Sequence, residues 1–131
     1  MQASITNPTQ ELVVHNDYDV VVMRQDVRQH ARTLGLGLIQ QAKIATAISA
    51  VARGTLALQQ FATFSMQTAK RGSRQAFEIQ CVAPFGTAGG SQTEIEQALH
   101  VQEARLLVDE IELVMEKSAI RLILRVWLTA P

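Results

Sequence analysis

Residues 39–58 read IQQAKIATAISAVARGTLAL, and this stretch carries the clearest structural signal in the chain. Ile44, Ile48, Val51 and Thr55 recur three or four positions apart, which is the spacing of one face of an α-helix. The alanines that flank this face are small enough for a second helix or a sheet to approach closely. The pattern predicts a helix from about residue 39 to residue 58 that buries one face.

A second helix is predicted directly before this one. Asn16, Asp17 and Asp19 offer N-caps, because each has a short side chain that accepts a hydrogen bond from a backbone N–H. The apolar side chains that then share one face are Val20, Met23, Val27, Ala31 and Leu34. Gly35 is expected to end this helix in the left-handed conformation, and Gly37 to loosen the link to the next helix.

Strands are predicted on both sides of the two helices, first as a short strand at residues 12–15. After residue 58 the apolar residues alternate, and this period of two indicates β-hairpins. The first hairpin alternates at Phe64, Met66, Thr68, Phe77, Ile79, Cys81 and Ala83, around a turn at residues 70–73. The second alternates at Ile111, Leu113, Met115, Ile120, Leu122, Leu124, Val126 and Leu128, around a turn at residues 116–118.

A third helix separates the two hairpins. A capping box marks its start, either Ser91 with Glu94 or Thr93 with Glu96, and the helix is expected to run to about Val108. The order of elements is then β-α-α-β-β-α-β-β. This order predicts an α+β fold, a two-layer sandwich in which a mixed or antiparallel sheet carries three helices on one face.

The composition excludes several classes of function. Lys plus Arg and Asp plus Glu each number 12, so the formal net charge is zero, whereas nucleic-acid binders show a basic excess. The same balance gives no basic footprint for an anionic membrane. Cys81 is the only cysteine, which fits a reducing compartment. We therefore expect one cytoplasmic domain over residues 11–131, after a loose lead-in at residues 1–10, that binds neither nucleic acid nor a membrane.

The residue types that usually carry chemistry form no familiar pattern. His15, His30 and His100 are far apart and lack the spacing of zinc ligands. No serine lies in a nucleophile-elbow context. Cys81 alternates with apolar strand residues and is interpreted as part of the core. Neither a metal site nor a hydrolase site is predicted.

Two further features allow a functional and a structural interpretation. Residues 87–91, TAGGS, follow a strand and open a helix, where backbone N–H groups can hold a phosphate, although a plain turn is the preferred interpretation. Arg24, Arg28 and Arg32 form an arginine row, spaced four apart on one helix face. This row is either a docking face for an acidic partner or an ordinary solvated surface.

Residues 42–54, AKIATAISAVARG, closely resemble the first ATP-site helix of the anti-sigma-factor serine/threonine kinases, a family of the GHKL ATPase superfamily. Similarity continues at residues 23–25, 31–35, 67–72, 108–110 and 125–128, so it extends over nearly the whole chain, and it is closest to the stressosome switch kinases. The resemblance implies a GHKL (Bergerat-type) ATPase fold and a regulatory role in a stress response. Since homodimers are common in that family, it also allows a homodimer here.

The positions that the resemblance assigns to ATP and Mg²⁺ carry unsuitable residues. Ala50 replaces the family's candidate general base Glu, and Gly54 replaces its Mg²⁺-binding Asn. Residues 81–86 contain no counterpart of the Asp that binds adenine, and the glycine-rich lid is shortened. The former nucleotide site consists of Ala50, Gly54, Val82, Gly86, Gly89 and Gly90. We therefore expect no ATP or Mg²⁺ cofactor, no catalytic residue and no metal ligand.

Three functions stay open at this point. The first is a non-catalytic regulatory protein that binds a STAS-domain protein, a PPM-type phosphatase or an active kinase paralogue, with the arginine row as the docking face. The alternative is an active ATP-dependent serine/threonine kinase in which Glu78 or Glu94 supplies a missing carboxylate. The third is the binding of a different ligand in the former nucleotide site. The preferred interpretation of that site is instead that Phe85 and the shortened loop fill it.

Overall fold

The computed structural model describes residues 10–58, 61–84 and 91–128, which form an α+β fold of five strands and four helices. The elements are β1 Gln10–Val14, α1 Asp17–Thr33, α2 Leu38–Ala57, β2 Ala62–Arg71, β3 Arg74–Pro84, α3 Gln92–Ala98, α4 Val101–Arg105, β4 Glu110–Met115 and β5 Ala119–Trp127. Among the helices in these ranges, none has the length and apolar character needed to cross a bilayer.

The strands form one sheet in the order β1-β2-β3-β5-β4, and every neighbouring pair is antiparallel. Of the two expected kinds of sheet, mixed or antiparallel, the structure has the antiparallel one. β3 lies at the centre, with Ile79 opposite Met66 of β2 and Leu124 of β5. A strand at residues 12–15 was expected, and β1 begins two residues earlier, at the last residue of the expected lead-in.

The helices pack against one face of this sheet. Alternate strand residues, among them Phe64, Phe77 and Leu122, are fully buried and belong to one core with Ile44 and Ile48 of α2. Since successive strand residues point to opposite faces, the residues between them lie on the other face, which the helices leave uncovered. The buried stripe that the sequence predicted on α2, including Val51 and Thr55, is confirmed.

Both ends of α1 follow the sequence signals. The Asn16 side chain is the N-cap, accepting a hydrogen bond from the Asp19 N–H at 2.9 Å. Gly35 has a φ of +90°, and the Leu36 N–H bonds the carbonyl of Ala31 at 3.0 Å. This left-handed ending satisfies carbonyls that the last helical turn leaves free, as predicted for Gly35.

The expected single helix from residue 91 to residue 108 is wrong, because the chain forms α3 and α4 with a break at His100. The Ser91–Glu94 capping box does open α3, but His100 adopts a left-handed φ of +57°. Leu99 and Val101 are both buried. In a continuous helix these two positions would point about 200° apart, so the break lets both side chains enter the core.

The turn of the first hairpin is tighter than expected. β2 extends to Arg71 and β3 begins at Arg74, so only Gly72 and Ser73 connect the strands. Gly72 has a φ of +65°, a conformation that two-residue hairpin turns require and that glycine adopts without strain. Lys70 and Arg71, predicted as turn residues, are therefore strand residues.

Candidate functional site

Gly54 is the point at which α2 touches the break between α3 and α4. A Cβ atom placed on Gly54 would lie 2.2 Å from the carbonyl oxygen of Ala98 and 2.9 Å from the Cα of Leu99. Both are backbone atoms, which cannot rotate away as the end of a side chain can. The position that the resemblance assigns to a Mg²⁺-binding Asn therefore has no room for any side chain in this arrangement.

The other members of the former nucleotide site do not gather around Gly54. Ala50 lies one turn earlier on α2, on the same side of the helix, and is half-buried. Val82 pairs with Thr63 and Arg121, on the sheet face that the helices leave uncovered. The structure thus brings Ala50 and Gly54 together and places Val82 on the far side of the sheet. Gly86, Gly89, Gly90 and Phe85 lie outside the described residues.

The two carboxylates that the kinase alternative would use, Glu78 and Glu94, already have structural partners. Glu78 lies on the uncovered sheet face, on the side away from α2, and its Oε2 accepts a hydrogen bond from Nε of Arg125 at 2.7 Å. Glu94 accepts a hydrogen bond from the Ser91 N–H at 2.9 Å, and hydrogen bonds with Ser91 lower its pKa. A general base near neutral pH needs a raised carboxyl pKa, which neither group has.

An ion-pair network occupies the uncovered sheet face. Gln67, Glu78, Arg125 and Glu110 lie opposite one another on four neighbouring strands. Arg125 also reaches Glu112, with Nη1 and Oε2 3.4 Å apart. Burial favours the neutral form of Glu78, but hydrogen bonds from Gln80 and Gln67 and the Arg125 guanidinium outweigh this, so its pKa is lowered. The pKa of Arg125 is raised for the matching reason, since these carboxylates outweigh the effect of its burial.

A groove of about 490 Å³ lies beside this network and is lined by equal numbers of positive and negative side chains. The charged side chains that line it are Arg71, Arg105, Arg125, Asp109, Glu110 and Glu112, three of each sign. Trp127 forms part of the wall and carries the Arg74 guanidinium 4.3 Å from its ring centre. The formal charges of these lining side chains sum to zero.

Two members of the arginine row line a second groove, of about 420 Å³, between α1 and the start of α2. Arg28 and Arg32 are exposed there, whereas Arg24 is half-buried and lies outside the groove. The other lining residues are Gln25, Gln29, Leu38 and Gln41. Across residues 10–58, 61–84 and 91–128, no carboxylate comes within 4.0 Å of either Arg28 or Arg32.

Three large apolar side chains beside these grooves are exposed to solvent, and the sequence analysis did not predict them as functional residues. Leu38 and Ile39 are each 73 % exposed, and Leu106 is 83 % exposed. A third groove, of about 140 Å³, joins Leu106 to Lys43 on the other side of the α2 start. A signal was present, because Leu38 and Ile39 lie off the face defined by Ile44 and Ile48 when the helical period is extended backwards.

The histidines and the cysteine have local structural roles. His15 bonds Asp19, His30 contacts the side chain of Gln10 and stacks on Phe77, and His100 pairs with Glu103. Within the described part of the chain, no three His, Cys, Asp or Glu side chains gather as metal ligands would. Cys81 is buried as expected for a core residue, and burial raises the pKa of its thiol to about 12.

A comparison with models of protein families found none that matches this chain, and a search of curated proteins found no significant match. The likeness to the anti-sigma-factor kinases therefore rests on the quoted residues alone. The function that this likeness implies is therefore a proposal, and the geometry around Ala50, Gly54 and Val82 is the structural evidence that bears on it.

Proposed function

We propose that this protein is a non-catalytic relative of the anti-sigma-factor kinases that acts by binding another protein in a cytoplasmic partner-switching pathway. Its partner would be a STAS-domain protein, a PPM-type phosphatase or an active kinase paralogue. The observed succession of elements, with two long helices followed by a hairpin, short helices and a second hairpin, supports a GHKL-like architecture. In this view the scaffold is retained while the ATP chemistry is lost.

The packing at Gly54 is the observation that carries this proposal. Phosphoryl transfer depends on a Mg²⁺ ion and on groups held in position around the phosphates. Here the metal-ligand position touches the backbone at Ala98 and Leu99. Because the end of α3 is in van der Waals contact with α2 at Gly54, there is no space between them for a hydrated Mg²⁺ ion or for the oxygen ligands that Mg²⁺ requires.

The positions of the remaining groups support the same conclusion. The Ala50 side chain has no oxygen that could accept a proton, and Val82 lies on the sheet face away from α2. Glu78 and Glu94, which the kinase alternative would use in place of the missing carboxylates, are held by Arg125 and by the start of α3. An active kinase site would have to be assembled by breaking these contacts.

Calorimetric titration of the full chain with ATP and Mg²⁺ tests the loss of nucleotide binding. We expect no saturable heat with ATP at about 1 mM, a concentration that detects even weak binding. An active anti-sigma-factor kinase in the same buffer is the positive control. Saturable binding, followed by transfer of phosphate to a serine of a STAS-domain protein, would replace the proposal with the kinase alternative.

Partner binding requires a second experiment, in which STAS-domain and PPM-phosphatase candidates from the same genome are titrated against the protein. The double variant Arg28→Glu, Arg32→Glu reverses two charges that have no carboxylate within 4.0 Å among the described residues, and we expect it to weaken binding about tenfold or more. Arg53→Glu changes an exposed cation of α2 that lines none of the three grooves, and should bind normally. If the wild type, the double variant and Arg53→Glu all bind the partner with equal affinity, this groove is excluded as the docking face.

A further inference from the structure

The first turn of α2 is a ridge of exposed apolar side chains between two grooves. Leu38 lines the groove that also contains Arg28 and Arg32, on the α1 side. Gln40 and Lys43 line the groove that contains Leu106, on the α4 side. Ile39 lies between them by its position on the helix, and 73 % of its surface meets solvent. Two adjacent exposed apolar side chains with polar grooves on either side can form the apolar centre of an interaction site.

Within the part of the chain that the structure describes, the cations around this ridge have no acidic partners. Every ion pair that an arginine makes in the described ranges involves Arg71, Arg121 or Arg125, all on the sheet. Arg28, Arg32 and Lys43 have no carboxylate within 4.0 Å among the same residues. The surface at the start of α2 is therefore both apolar and positively charged.

One carboxylate does line the groove on the α4 side, but it is engaged elsewhere. Oδ2 of Asp109 accepts a hydrogen bond from the backbone N–H of Trp127 at 2.7 Å. It also lies on the far side of the ridge from Arg28 and Arg32, which line the other groove. Asp109 shares a groove with Lys43 without coming within 4.0 Å of it, and among the described residues no carboxylate lines the groove of Arg28 and Arg32, so carboxylates of a partner can complement these cations.

We infer that the first turn of α2 docks an acidic amphipathic helix of the partner protein. Leu38 and Ile39 contact the apolar face of that helix, with Leu106 at its border. Arg28 and Arg32 on one side, and Lys43 on the other, pair with carboxylates along its two flanks. The inference rests on the proposed function, since it specifies the chemistry of the partner, and it gives Arg28 and Arg32 of the arginine row their role.

The polar lining of the grooves favours a protein helix over an anionic lipid surface. Gln25, Gln29 and Gln41 line the groove beside Leu38, and Gln40 lines the other. Three of these amides already make one hydrogen bond within the chain, since Gln41 donates to the Leu36 carbonyl, Gln29 accepts from Arg32 and Gln40 accepts from the Gly37 N–H. Their remaining polar atoms still need partners when they are covered, and acyl chains supply none. The side chains and backbone of a peptide can supply them, and helices commonly dock in this way through residues three and four positions apart.

The test uses a synthetic acidic helix and amide NMR spectra of the isotope-labelled full chain. The probe is a peptide of about 18 residues with leucines at helical spacing on one face and glutamates on both flanks. We expect saturable shifts confined to residues 25–43 and 106–109. Leu38→Asp and Ile39→Asp should each weaken binding about tenfold or more, because each places a charge in the apolar contact. Tyr18→Asp alters a side chain of equal exposure at the far end of α1 and should leave affinity unchanged.

Three results would overturn the inference. The first is the absence of shifts at about 1 mM peptide, a concentration at which weak complexes are visible. The second is equal binding of a peptide in which every glutamate is replaced by lysine. The third is binding to vesicles of phosphatidylglycerol and phosphatidylcholine with none to the peptide, which would assign the surface to a membrane. The ATP titration decides the proposed function separately, so either can fail without the other.

Discussion

Glu78 and Arg125 face each other on the central strands β3 and β5, with the carboxylate Oε2 and the guanidinium Nε 2.7 Å apart. Both residues are only 5 % exposed, although they lie on the face of the sheet that the helices leave uncovered. Gln67 and Gln80 donate further hydrogen bonds to Glu78, at 2.7 and 3.0 Å. A buried charge is tolerated when its partners are complete, and here four strands contribute to completing them.

We expect Glu78→Gln to destabilise the protein by about 2–4 kcal/mol at neutral pH, because it leaves the buried Arg125 with only the more exposed carboxylates of Glu110 and Glu112. The pKa of Glu78 lies below the ordinary value of 4.5 in the folded state. Its carboxylate therefore contributes stability above about 4.5, and this contribution disappears as the pH falls through the lowered pKa. Urea unfolding between about pH 7 and pH 3 should show the difference between wild type and variant shrinking with acid.

Glu110→Gln is the matched control for that experiment. It removes a carboxylate from the same arginine, but the Glu110 side chain is 43 % exposed. Exposed ion pairs contribute about 0–1 kcal/mol, so this variant should stay close to wild type at every pH. If the wild type and Glu78→Gln lose stability in parallel as the pH falls, the buried pair is not the source of the acid sensitivity.

Gly54→Ala should destabilise the protein by about 2–3 kcal/mol, since the new methyl group would meet the backbone at Ala98 and Leu99. Helix propensity alone predicts the opposite sign, a gain of about 1 kcal/mol for alanine over glycine inside a helix. The direction of the change in thermal or urea unfolding is therefore diagnostic. Gly37→Ala serves as the control, because the nearest atom to its added Cβ is a glutamine side-chain oxygen at 3.9 Å. A gain in stability for Gly54→Ala would show that α3 and α4 do not press on α2.

His100→Val should be less stable than His100→Gly by about 1–2 kcal/mol, because the left-handed conformation of this residue penalises a β-branched side chain. Both variants lose the contact of His100 with Glu103, so the comparison between them cancels that loss. Urea unfolding of the two variants measures the difference. Equal stabilities would mean that the chain runs through residue 100 in another conformation, such as a continuous helix.

Cys81 should resist thiol reagents as long as the protein is folded. Burial removes access and raises its pKa to about 12, so almost no thiolate exists near neutral pH. We expect a chromogenic disulfide reagent at about pH 8 to react with one thiol in urea and with essentially none in the native protein. Fast reaction without denaturant would show that β3 opens readily or that this side chain is not in the core.

The sequence predicted the elements whose signals are local. The stripe of Ile44, Ile48 and Val51, the cap at Asn16 and the left-handed turn at Gly35 each depend on residues within a few positions of one another. Helix periods, caps and strand alternation are properties of short segments, so they can be read before any tertiary contact is known. The α+β class and the order of most elements followed from them.

The relationships between distant segments could not be read in this way. The break at His100 exists because Leu99 and Val101 both enter a core that other elements build. The space beside Gly54 is occupied by Ala98 and Leu99, more than forty positions later in the sequence. The ion pair of Glu78 with Arg125 joins residues that are 47 positions apart. Packing and burial depend on which surfaces meet. The helical and strand periods thus depend on the local sequence, whereas the close contact at Gly54 and the exposed surface at the start of α2 arise only when the folded chain brings distant segments together.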